Sequence, residues 1–469
     1  MFKLKENGTT WSRELVAGVT TFVTMVYIIF VNPAILGAVP GFEKGGIFLA
    51  TIIATVAGTL IMGLFANVPY ALAPGMGLNA FFTYTVCFSL GFTWQQGLAM
   101  VFICGIINIL ITVTKVRKAI IKSIPKTLQY AIGAGIGLFI AYIGLKDANI
   151  IKFTIDPWNI TNVPADAGGT VISNGGAIPA LVNFNNVINP MAFMAILGVI
   201  ITAVLMVLKV RGAILIGIIA TAIIGVPLGI TKYDPSTAYA ISDISKTAFQ
   251  FDFGGLFADP AKLIIVIITI FAFSLTDTFD TIGTFIGTGR KTGIFDEKDE
   301  KALFEGKGFK SKMDKALFAD ATATSIGSLF GTSNTTTYIE SAAGISEGGR
   351  TGLTSVFTAL LFAACVFLTP VAGLVTVAAA APALIIVGVL MAEPLKKIEW
   401  TNLEEAIPAF FTVAIMPFTY SISNGIAFGF VFYVLTKLFR GKGKELHPLL
   451  YVFSALFIVY FVAMAILKL

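Results

Sequence analysis

Charged side chains are scarce in this sequence of 469 residues, at 12% of the total against about 25% in ordinary soluble domains. Hydrophobic residues supply 56%, and the mean hydropathy is +0.88. Apolar runs of about 20 residues, the length of a helix that crosses a bilayer, recur from Leu15 to Leu469. This composition excludes a soluble globular protein and predicts an all-α polytopic membrane protein with about 14 or 15 spans.

Cysteine and histidine are nearly absent, which excludes several kinds of site. Cys87, Cys104 and Cys365 lie in apolar stretches without metal-ligand spacing, so we interpret them as small buried side chains. His447 is the only histidine, which excludes His-based triads and most zinc sites. The chain has no Gly-x4-Gly-Lys-[Ser/Thr] loop of the kind that an ATP-driven pump needs. We therefore predict no enzyme, no cofactor and no metal.

The net charge of +6 comes from basic residues that lie mainly in short loops between the apolar runs. This pattern is typical of cytoplasmic loops in the cell membrane, so we predict the lipid bilayer, and not nucleic acid, as the partner. Because every basic cluster falls on the side of the N-terminus, we predict a cytoplasmic N-terminus. The clusters are Lys115, Arg117, Lys118 and Lys122; Lys209 and Arg211; Arg290 to Lys315; Lys396 and Lys397; and Arg440, Lys442 and Lys444.

Apolar periodicity predicts fifteen segments. The polar stretches 146–186 and 232–260, which have few basic residues, are predicted to be external loops. The predicted spans are 15–37, 47–65, 70–89, 94–114, 127–146, 189–208, 211–230, 261–288, 314–330, 335–347, 351–370, 375–393, 405–419, 421–439 and 448–468.

Two segments break the rules for a spanning helix at corresponding places in the two halves. The first, residues 69–79, contains two prolines and two glycines, and proline removes a backbone donor. The second, residues 331–340, is rich in threonine and favours extended backbone followed by a helix start. Paired interruptions of this kind indicate a transporter site near the bilayer midplane, with half-helices that begin near Gly77 and Ser341.

A weak internal repeat accompanies the two interruptions. Gly63-Leu-Phe65 precedes the first and Ser328-Leu-Phe330 precedes the second, about 265 residues later. The segments fit two units of seven helices, and because seven is odd, the second unit must enter the membrane upside down. The last segment, 448–468, does not fit this count: either it is an additional span or one helix has been divided wrongly.

Acidic residues inside spans are candidates for function because each costs about 2.5 to 3.5 kcal/mol to insert. Asp277 and Asp280 lie three residues apart and share one helix face, and Glu340 follows the second interruption. As an alternative, the three acids cap helices or bind hydroxyl groups. An intramembrane aspartyl protease is excluded because the only Tyr-Asp pair, Tyr233-Asp234, lies in a polar loop.

The residue types predict the chemistry of the ligand. Two half-helix N-termini would direct backbone N–H groups into the cavity, and nearby carboxylates would accept hydrogen bonds. A planar ligand that both donates and accepts along its edges, and that stacks on Phe81, Phe82 or Phe279, fits better than a sugar or a simple ion.

Five motifs carry a resemblance to a known family. The sequence resembles the AzgA-like guanine/hypoxanthine/adenine permeases, a branch of the nucleobase:cation symporters within the uracil/xanthine permease superfamily, over nearly its whole length. The resemblance lies in Asn32-Pro-Ala-Ile-Leu36, Ala73-Pro-Gly-Met-Gly-Leu-Asn-Ala-Phe-Phe82, Ser274-Leu-Thr-Asp-Thr-Phe-Asp-Thr-Ile-Gly-Thr284, Thr332-Ser-Asn-Thr-Thr-Thr-Tyr-Ile-Glu-Ser-Ala-Ala-Gly344 and Tyr420-Ser-Ile-Ser-Asn-Gly-Ile-Ala-Phe428.

The resemblance implies a seven-plus-seven inverted repeat with a core and a gate domain and with two short antiparallel strands at interrupted helices 3 and 10. Core residues would be 14–114 and 261–370, and gate residues 115–230 and 371–469. In the related uracil-type transporters, acids on helices 8 and 10 hold the base, and these positions match Asp280 and Glu340. The chain departs from that pattern by having Asp at the first position and a second acid, Asp277, which has no assigned role.

We therefore expect a secondary active transporter that imports hypoxanthine, guanine or adenine by alternating access. The sequence leaves open proton or sodium coupling, the preferred purine and homodimer formation. The alternative is an anion transporter, exchanger or channel of the same fold, against which the carboxylates count. The predicted substrate-binding residues are Asp280, Glu340, Asn79, Thr281, Phe279 and Tyr338, and the predicted coupling residues are Glu340 and Asp277.

Overall fold

The computed structural model describes most of the chain. Described residues are 2–114, 124–155, 160–161, 172–173, 177–181, 190–232, 238–289, 293–295, 299 and 311–467. The predictions for the basic cluster Lys115 to Lys122, for Tyr233-Asp234 and for most of the loop from Arg290 to Lys315 concern residues outside these ranges.

The described chain is mainly helical. Its α-helices are α1 Trp11–Met25, α2 Ile28–Leu36, α3 Lys44–Ile61, α4 Met76–Ala80, α5 Trp94–Val113, α6 Lys126–Asp147, α7 Pro190–Val207, α8 Ala213–Gly225, α9 Phe253–Phe257, α10 Leu263–Thr284, α11 Lys312–Phe330, α12 Ser341–Ser346, α13 Gly352–Ala364, α14 Thr369–Ala372, α15 Val377–Met391, α16 Leu403–Phe418, α17 Ile422–Phe439 and α18 Pro448–Leu467. Strands are β1 Leu72–Pro74, β2 Ile151–Ile155, β3 Ile160–Thr161, β4 Ile172–Ser173, β5 Ala177–Leu181 and β6 Thr335–Thr337. Turns of π-helix at Met62–Ala66, Phe81–Ser89 and Phe285–Gly289 extend α3, α4 and α10.

Nine helices in the described ranges are long and apolar enough to cross a membrane. They are Trp11–Leu36, Lys44–Ala66, Trp94–Val113, Lys126–Asp147, Pro190–Val207, Leu263–Thr284, Gly352–Ala372, Val377–Lys397 and Ile422–Phe439. Two further apolar helical segments, Ala213–Gly225 and Pro448–Val459, are shorter. The predicted polytopic helical architecture is therefore confirmed.

The first predicted span is divided, which the apolar pattern did not indicate. Helix α1 ends at Met25 and α2 begins at Ile28, so Tyr27 lies at the break. Pro33 lies inside α2 and supplies no backbone N–H to this half of the span. The break directs the buried Tyr27 side chain toward the second half of the chain, as described below.

Both predicted interruptions are present, and they pair with each other. The strands β1 and β6 form a two-stranded antiparallel sheet, and all six of their residues are buried. Half-helices follow each strand: α4 begins at Met76 and α12 at Ser341, close to the predicted starts. The register joins Leu72 with Thr337, Ala73 with Thr336 and Pro74 with Thr335.

Helices of the two halves pack closely against each other. Helix α6 packs along α15, where Gly137 and Gly388 face each other and leave no room for a side chain. Similarly, α1 packs on α13, and α3 and α5 pack on α11. Since small residues let helix backbones approach in a membrane, these glycines explain the tight contact.

The segment predicted at 448–468 is a separate helix, α18, that packs against α10 and α17. The Phe453 ring lies 4.5 Å from Phe271 on α10 and 6.0 Å from Phe430 on α17, centroid to centroid. The segment is thus an additional helix rather than part of a helix that was counted twice.

One predicted external loop contains strands. Strand β2 pairs antiparallel with β5, and β3 pairs with β4. The stretch 146–186, predicted to be an external loop, therefore contains two short antiparallel strand pairs within its described residues. Alternation of apolar and polar residues in Ile151-Lys-Phe-Thr-Ile155 is the strand signal that was overlooked.

Candidate functional site

The two interruptions satisfy each other's backbone groups. Gly75 donates its N–H to the carbonyl of Asn334 at 2.9 Å, and Tyr338 donates to the carbonyl of Ala71 at 3.0 Å. Open backbone at membrane depth is stable only where such partners exist. The paired strands therefore form the frame on which the candidate site is built.

The outer edges of the two strands are held by different side chains. On the first strand, Leu72 donates its N–H to Thr59 Oγ1 at 2.9 Å, and Thr59 returns a hydrogen bond to the Leu72 carbonyl at 3.2 Å. On the second strand, Thr337 donates its hydroxyl to Asp320 Oδ1 at 2.7 Å. A neutral hydroxyl thus holds β1, whereas β6 is held by a carboxyl group in addition to the Thr324 hydroxyl.

Glu340 lies where the sequence placed it, directly before α12 and after β6. Its side chain is partly buried, and Oε1 accepts a hydrogen bond of 2.6 Å from the hydroxyl of Tyr27. Asp280 and Tyr338 interact electrostatically with Glu340. The structure therefore brings together the two predicted substrate-binding acids. It adds Tyr27, which no sequence signal marks within its apolar run.

The predicted residues on α10 divide into two environments. Asp280 has an exposed side chain. Thr281 is fully buried, and its hydroxyl shares a hydrogen bond of 2.7 Å with Thr336 of β6. The Phe279 side chain lies outside what the structure describes. Asp280 therefore presents the accessible carboxyl group, while Thr281 ties α10 to the strand.

Asp277 is fully buried and faces away from solvent. Its Oδ2 accepts hydrogen bonds from Asn108 Nδ2 at 2.9 Å and from Thr324 Oγ1 at 3.3 Å. Ser274 in turn donates its hydroxyl to Asn108 Oδ1. These contacts join α10 to α5 and α11, so Asp277 is separated from the accessible carboxyl of Asp280 although the two share a helix face.

Sequence reasoning missed Asp320, which is buried on α11. Besides Thr337, its carboxyl group interacts with Thr281 and, electrostatically, with Asp277. The signal was available, because the rule that an acid inside a span is a candidate applies to Asp320 within the predicted span 314–330. The structure therefore adds a fourth acid to the three that the sequence analysis selected.

Asn79 and Tyr338 line the strand pair in different ways. Asn79 is fully buried and accepts a hydrogen bond from the Ser333 hydroxyl, while its Nδ2 has no partner among the described residues. The Tyr338 hydroxyl donates to the Pro74 carbonyl at 2.6 Å. Asn79 therefore retains a donor, whereas the Tyr338 hydroxyl is already used to join the strands.

The aromatic residues predicted to stack on a ligand have protein partners. Phe81 is fully buried against Phe273, with ring centroids 4.5 Å apart, and Phe82 is fully buried near Phe42. Neither ring presents a free face, because the π-helical turn directs both into the packing between helices. Stacking on Phe81 or Phe82 is therefore not supported.

Together these residues form a set of hydrogen-bonding groups at the break in the helices. Glu340 and Asp280 offer carboxylate oxygens, and Asn79 offers an N–H donor. Glu340 lies at the start of a helix of only six residues, so the carboxyl group, more than the helix dipole, sets the local charge. Such a site can bind a ligand that donates to carboxylates and also accepts a hydrogen bond.

The chain matches known permeases over most of its length. The model of the xanthine/uracil permeases, described as a permease family, matches residues 12–428. The adenine permease AdeP of Escherichia coli (strain K12) is 40% identical over 466 residues, which cover 98% of this chain and 94% of that protein. The guanine/hypoxanthine permease PbuG of Bacillus subtilis (strain 168) is 38% identical over 469 residues, which cover 98% of each.

Solved structures agree on the fold. The transmembrane domain of the cyanobacterial bicarbonate transporter BicA matches with a TM-score of 0.60 at 15% identity, covering 88% of this chain and 97% of that domain. The overall structure of SLC26A9 matches with a TM-score of 0.56 at 12% identity, covering 92% of this chain and 65% of that one. The predicted seven-plus-seven inverted repeat is confirmed, and the chain belongs to the uracil/xanthine permease family.

Proposed function

We propose that this chain is a secondary active transporter that imports purine nucleobases across the cell membrane. The observation that carries the proposal is the position of Glu340, held by Tyr27 beside Asp280 at the paired helix breaks, in a chain so similar to adenine and guanine/hypoxanthine permeases. Hypoxanthine, guanine and adenine are the candidate substrates. The N-terminus would be cytoplasmic.

A purine base complements the groups at the breaks. Its N–H edges can donate to the carboxylates of Glu340 and Asp280, and its ring nitrogens or carbonyl can accept from the Asn79 amide. Thr281 and Tyr338 hold α10 and β1 against β6 around it. Phe279 would contact the face of the base. A buried base that satisfies these groups would be favoured over one that leaves a site group unpaired.

Transport would follow from movement of a core, residues 14–114 and 261–370, against a gate, residues 115–230 and 371–469. The two groups contact at both ends of the molecule. At one end Ile422 of the gate donates its N–H to Thr85 Oγ1 of the core at 3.2 Å. At the other end Arg211 pairs with Glu347. Breaking the contacts between core and gate at one end while keeping those at the other end would expose the site to each side of the membrane in turn.

Proton symport would supply the energy. Glu340 contacts the substrate in this scheme, and together with Asp277 it would couple binding to protonation. Both residues are acids within the membrane-spanning region, where a proton is the least costly way to neutralise a carboxylate. Sodium coupling is the alternative outcome of the test below.

Uptake of labelled hypoxanthine, guanine and adenine into cells that lack their own purine carriers tests the proposal. We expect saturable uptake of at least one base, suppressed by unlabelled purine and by a protonophore. Cells that express the Glu340→Gln variant at the same membrane level are the matched control. Saturable uptake of none of the three bases would contradict the function, and uptake that follows sodium but not protons would contradict the coupling.

A further inference from the structure

A second acidic site lies behind the substrate groups, at the junction of α10, α11 and β6. Asp277 and Thr281 lie one turn apart on α10, and Asp320 and Thr324 lie one turn apart on α11. Thr324 contacts Asp277, and Thr281 contacts Asp320, so the two helix faces exchange hydrogen bonds. Both carboxyl groups are buried, Asp277 at 0% and Asp320 at 4% exposure.

The two carboxyl groups differ in how well they are satisfied. Asp320 accepts from the hydroxyl and the backbone N–H of Thr337 and from Thr281. Asp277 accepts from Asn108 and Thr324 through Oδ2 and interacts with the Asn334 side chain, while its buried Oδ1 has no hydrogen bond of good geometry among the described residues. An unpartnered oxygen on a fully buried carboxylate is costly, and a proton on that oxygen removes the cost.

Among the described residues, no counter-charge lies beside the two carboxyl groups. The groups facing the pair are Cys104 and Asn108 on α5, Thr324 on α11, Asn334 before β6, Thr337 on β6, and Thr281 and Asp280 on α10. No Lys, Arg or His of the described chain acts on either carboxyl group. Two neighbouring carboxylates in a medium of low dielectric constant, without a cation beside them, favour the binding of a proton.

We propose that Asp277 and Asp320 form the binding site of the coupling proton. This inference rests on the proposed function and adds Asp320 and the location of the proton to it. In each cycle a carboxylate oxygen of the pair takes one proton from the external water, forming an O–H bond, and releases it to the cytoplasmic water after reorientation. No electron transfer or further reactant is required.

The structure supplies a route from the proton to the substrate. Asp277 interacts electrostatically with Asp280, so neutralising the pair removes a like charge beside the substrate carboxylate. Ionised Asp280 is then stabilised and accepts the N–H of a purine more strongly. Thr337 also links Asp320 to β6, which leads to Glu340. Proton and purine thus favour each other's binding, as reciprocal linkage requires of a symporter.

Proteoliposomes that contain the purified protein separate coupling from transport. With a difference of one pH unit across the membrane, wild-type protein should accumulate labelled hypoxanthine about tenfold if one proton moves with each base. Asp277→Asn and Asp320→Asn should lose this accumulation while still exchanging internal for external hypoxanthine at equal pH. Asp320→Glu, which keeps a carboxyl group at this position, should retain a pH-dependent accumulation that Asp320→Asn lacks.

Asp252→Asn is the matched control because Asp252 caps α9, away from the pair, and accepts from Gly255 N–H at 2.7 Å and from Gln96 Nε2 at 3.1 Å. It should accumulate hypoxanthine like wild type. If Asp320→Asn also accumulates hypoxanthine with the wild-type pH profile, the pair is not the coupling site. If wild type exchanges no hypoxanthine, the proposed function fails instead.

Infrared difference spectroscopy tests the pair without substrate and without dependence on transport. Wild-type protein should show a carboxylic C=O band that disappears as the pH is raised, and Asp277→Asn and Asp320→Asn should each lack it. Asp252→Asn should retain the band. A wild-type spectrum without a titrating carboxylic acid, or a band that survives in both pair variants, would overturn the proposal.

Discussion

The two helix interruptions share a backbone geometry but differ in charge. Around the first, the strand β1 is held by Thr59, and the half-helix that follows carries Asn79. Around the second, the groups are Asp277, Asp280, Asp320 and Glu340. The acids of residues 2–114 are Glu6, Glu14 and Glu43, which precede a helix or lie in its first turn and so lie away from β1.

This difference shows that the charge around the interruption can diverge between the two halves of an inverted repeat, whereas the hydrogen bonds to the strand backbone are kept. In both halves, the backbone groups of a strand at membrane depth need hydrogen-bond partners. A threonine hydroxyl supplies one in each half: Thr59 bonds to Leu72, and Thr324 donates to the Thr335 carbonyl at 3.1 Å. Fold stability demands no charge there. We therefore expect the neutral half to contribute frame and orientation, and the acidic half to contribute binding energy and coupling.

The largest effect is expected from Glu340→Gln. The change keeps the shape but removes a charged acceptor, so purine affinity should fall by about 2 to 3 kcal/mol, or roughly 100-fold. Asn79→Ala in the neutral half, which removes one uncharged donor, should cost about 1 kcal/mol. Equilibrium binding of labelled purine to both purified variants measures the difference.

Accumulation adds a second readout for Glu340→Gln, which should impair pH-dependent uptake at least as severely as it impairs binding. Equal losses of affinity in Glu340→Gln and Asn79→Ala would break the comparison between the two halves. Normal accumulation with a normal pH profile in Glu340→Gln would remove this residue from the site.

Thr59→Val should affect stability rather than affinity. The isosteric change leaves both backbone groups of Leu72 without their partner, at a cost of about 2 kcal/mol. We expect a lower melting temperature of the protein in detergent and an unchanged pH dependence of transport. Thr337→Val, which removes the corresponding hydroxyl from Asp320, should instead alter the pH dependence. Identical behaviour of the two variants would show that the halves are functionally alike.

Asp280→Asn should preserve folding in the membrane and weaken purine binding by about tenfold or more, because a charged hydrogen-bond acceptor worth about 1.5 to 3 kcal/mol is lost. The partly exposed side chain makes no packing contribution that the amide cannot replace. Binding measurements on detergent-purified protein, with Asp252→Asn as the control, test this. Wild-type affinity in Asp280→Asn would exclude this acid from the site.

The smallest effect is expected from Glu347→Gln, which removes the ion pair with Arg211 beyond the second half-helix. The Arg211 side chain is 58% exposed, so the pair should contribute less than about 1 kcal/mol. Transport rate should change by roughly threefold or less, and less still at high salt. A loss of transport as large as that of Glu340→Gln would show that this contact belongs to the site.

Sequence reasoning recovered the frame because the frame follows from local rules. Proline and glycine in 69–79 and the threonine run in 331–340 cannot form ordinary spanning helices, so both interruptions and both half-helix starts could be predicted. Helical spacing likewise placed Asp277 and Asp280 on one face. It could not show that a turn of helix separates a buried acid from an accessible one.

The amino-acid sequence by itself determined the membrane location, the inverted repeat and three of the four central acids, because hydropathy, helix-breaking residues and charge inside a span are properties of local stretches. Only the tertiary structure decided that Tyr27 binds Glu340, that Asp320 holds β6 beside Asp277, and that Phe81 packs away from the site. These contacts join residues tens to hundreds of positions apart, and they depend on how helices pack around the strands rather than on any periodicity along the chain.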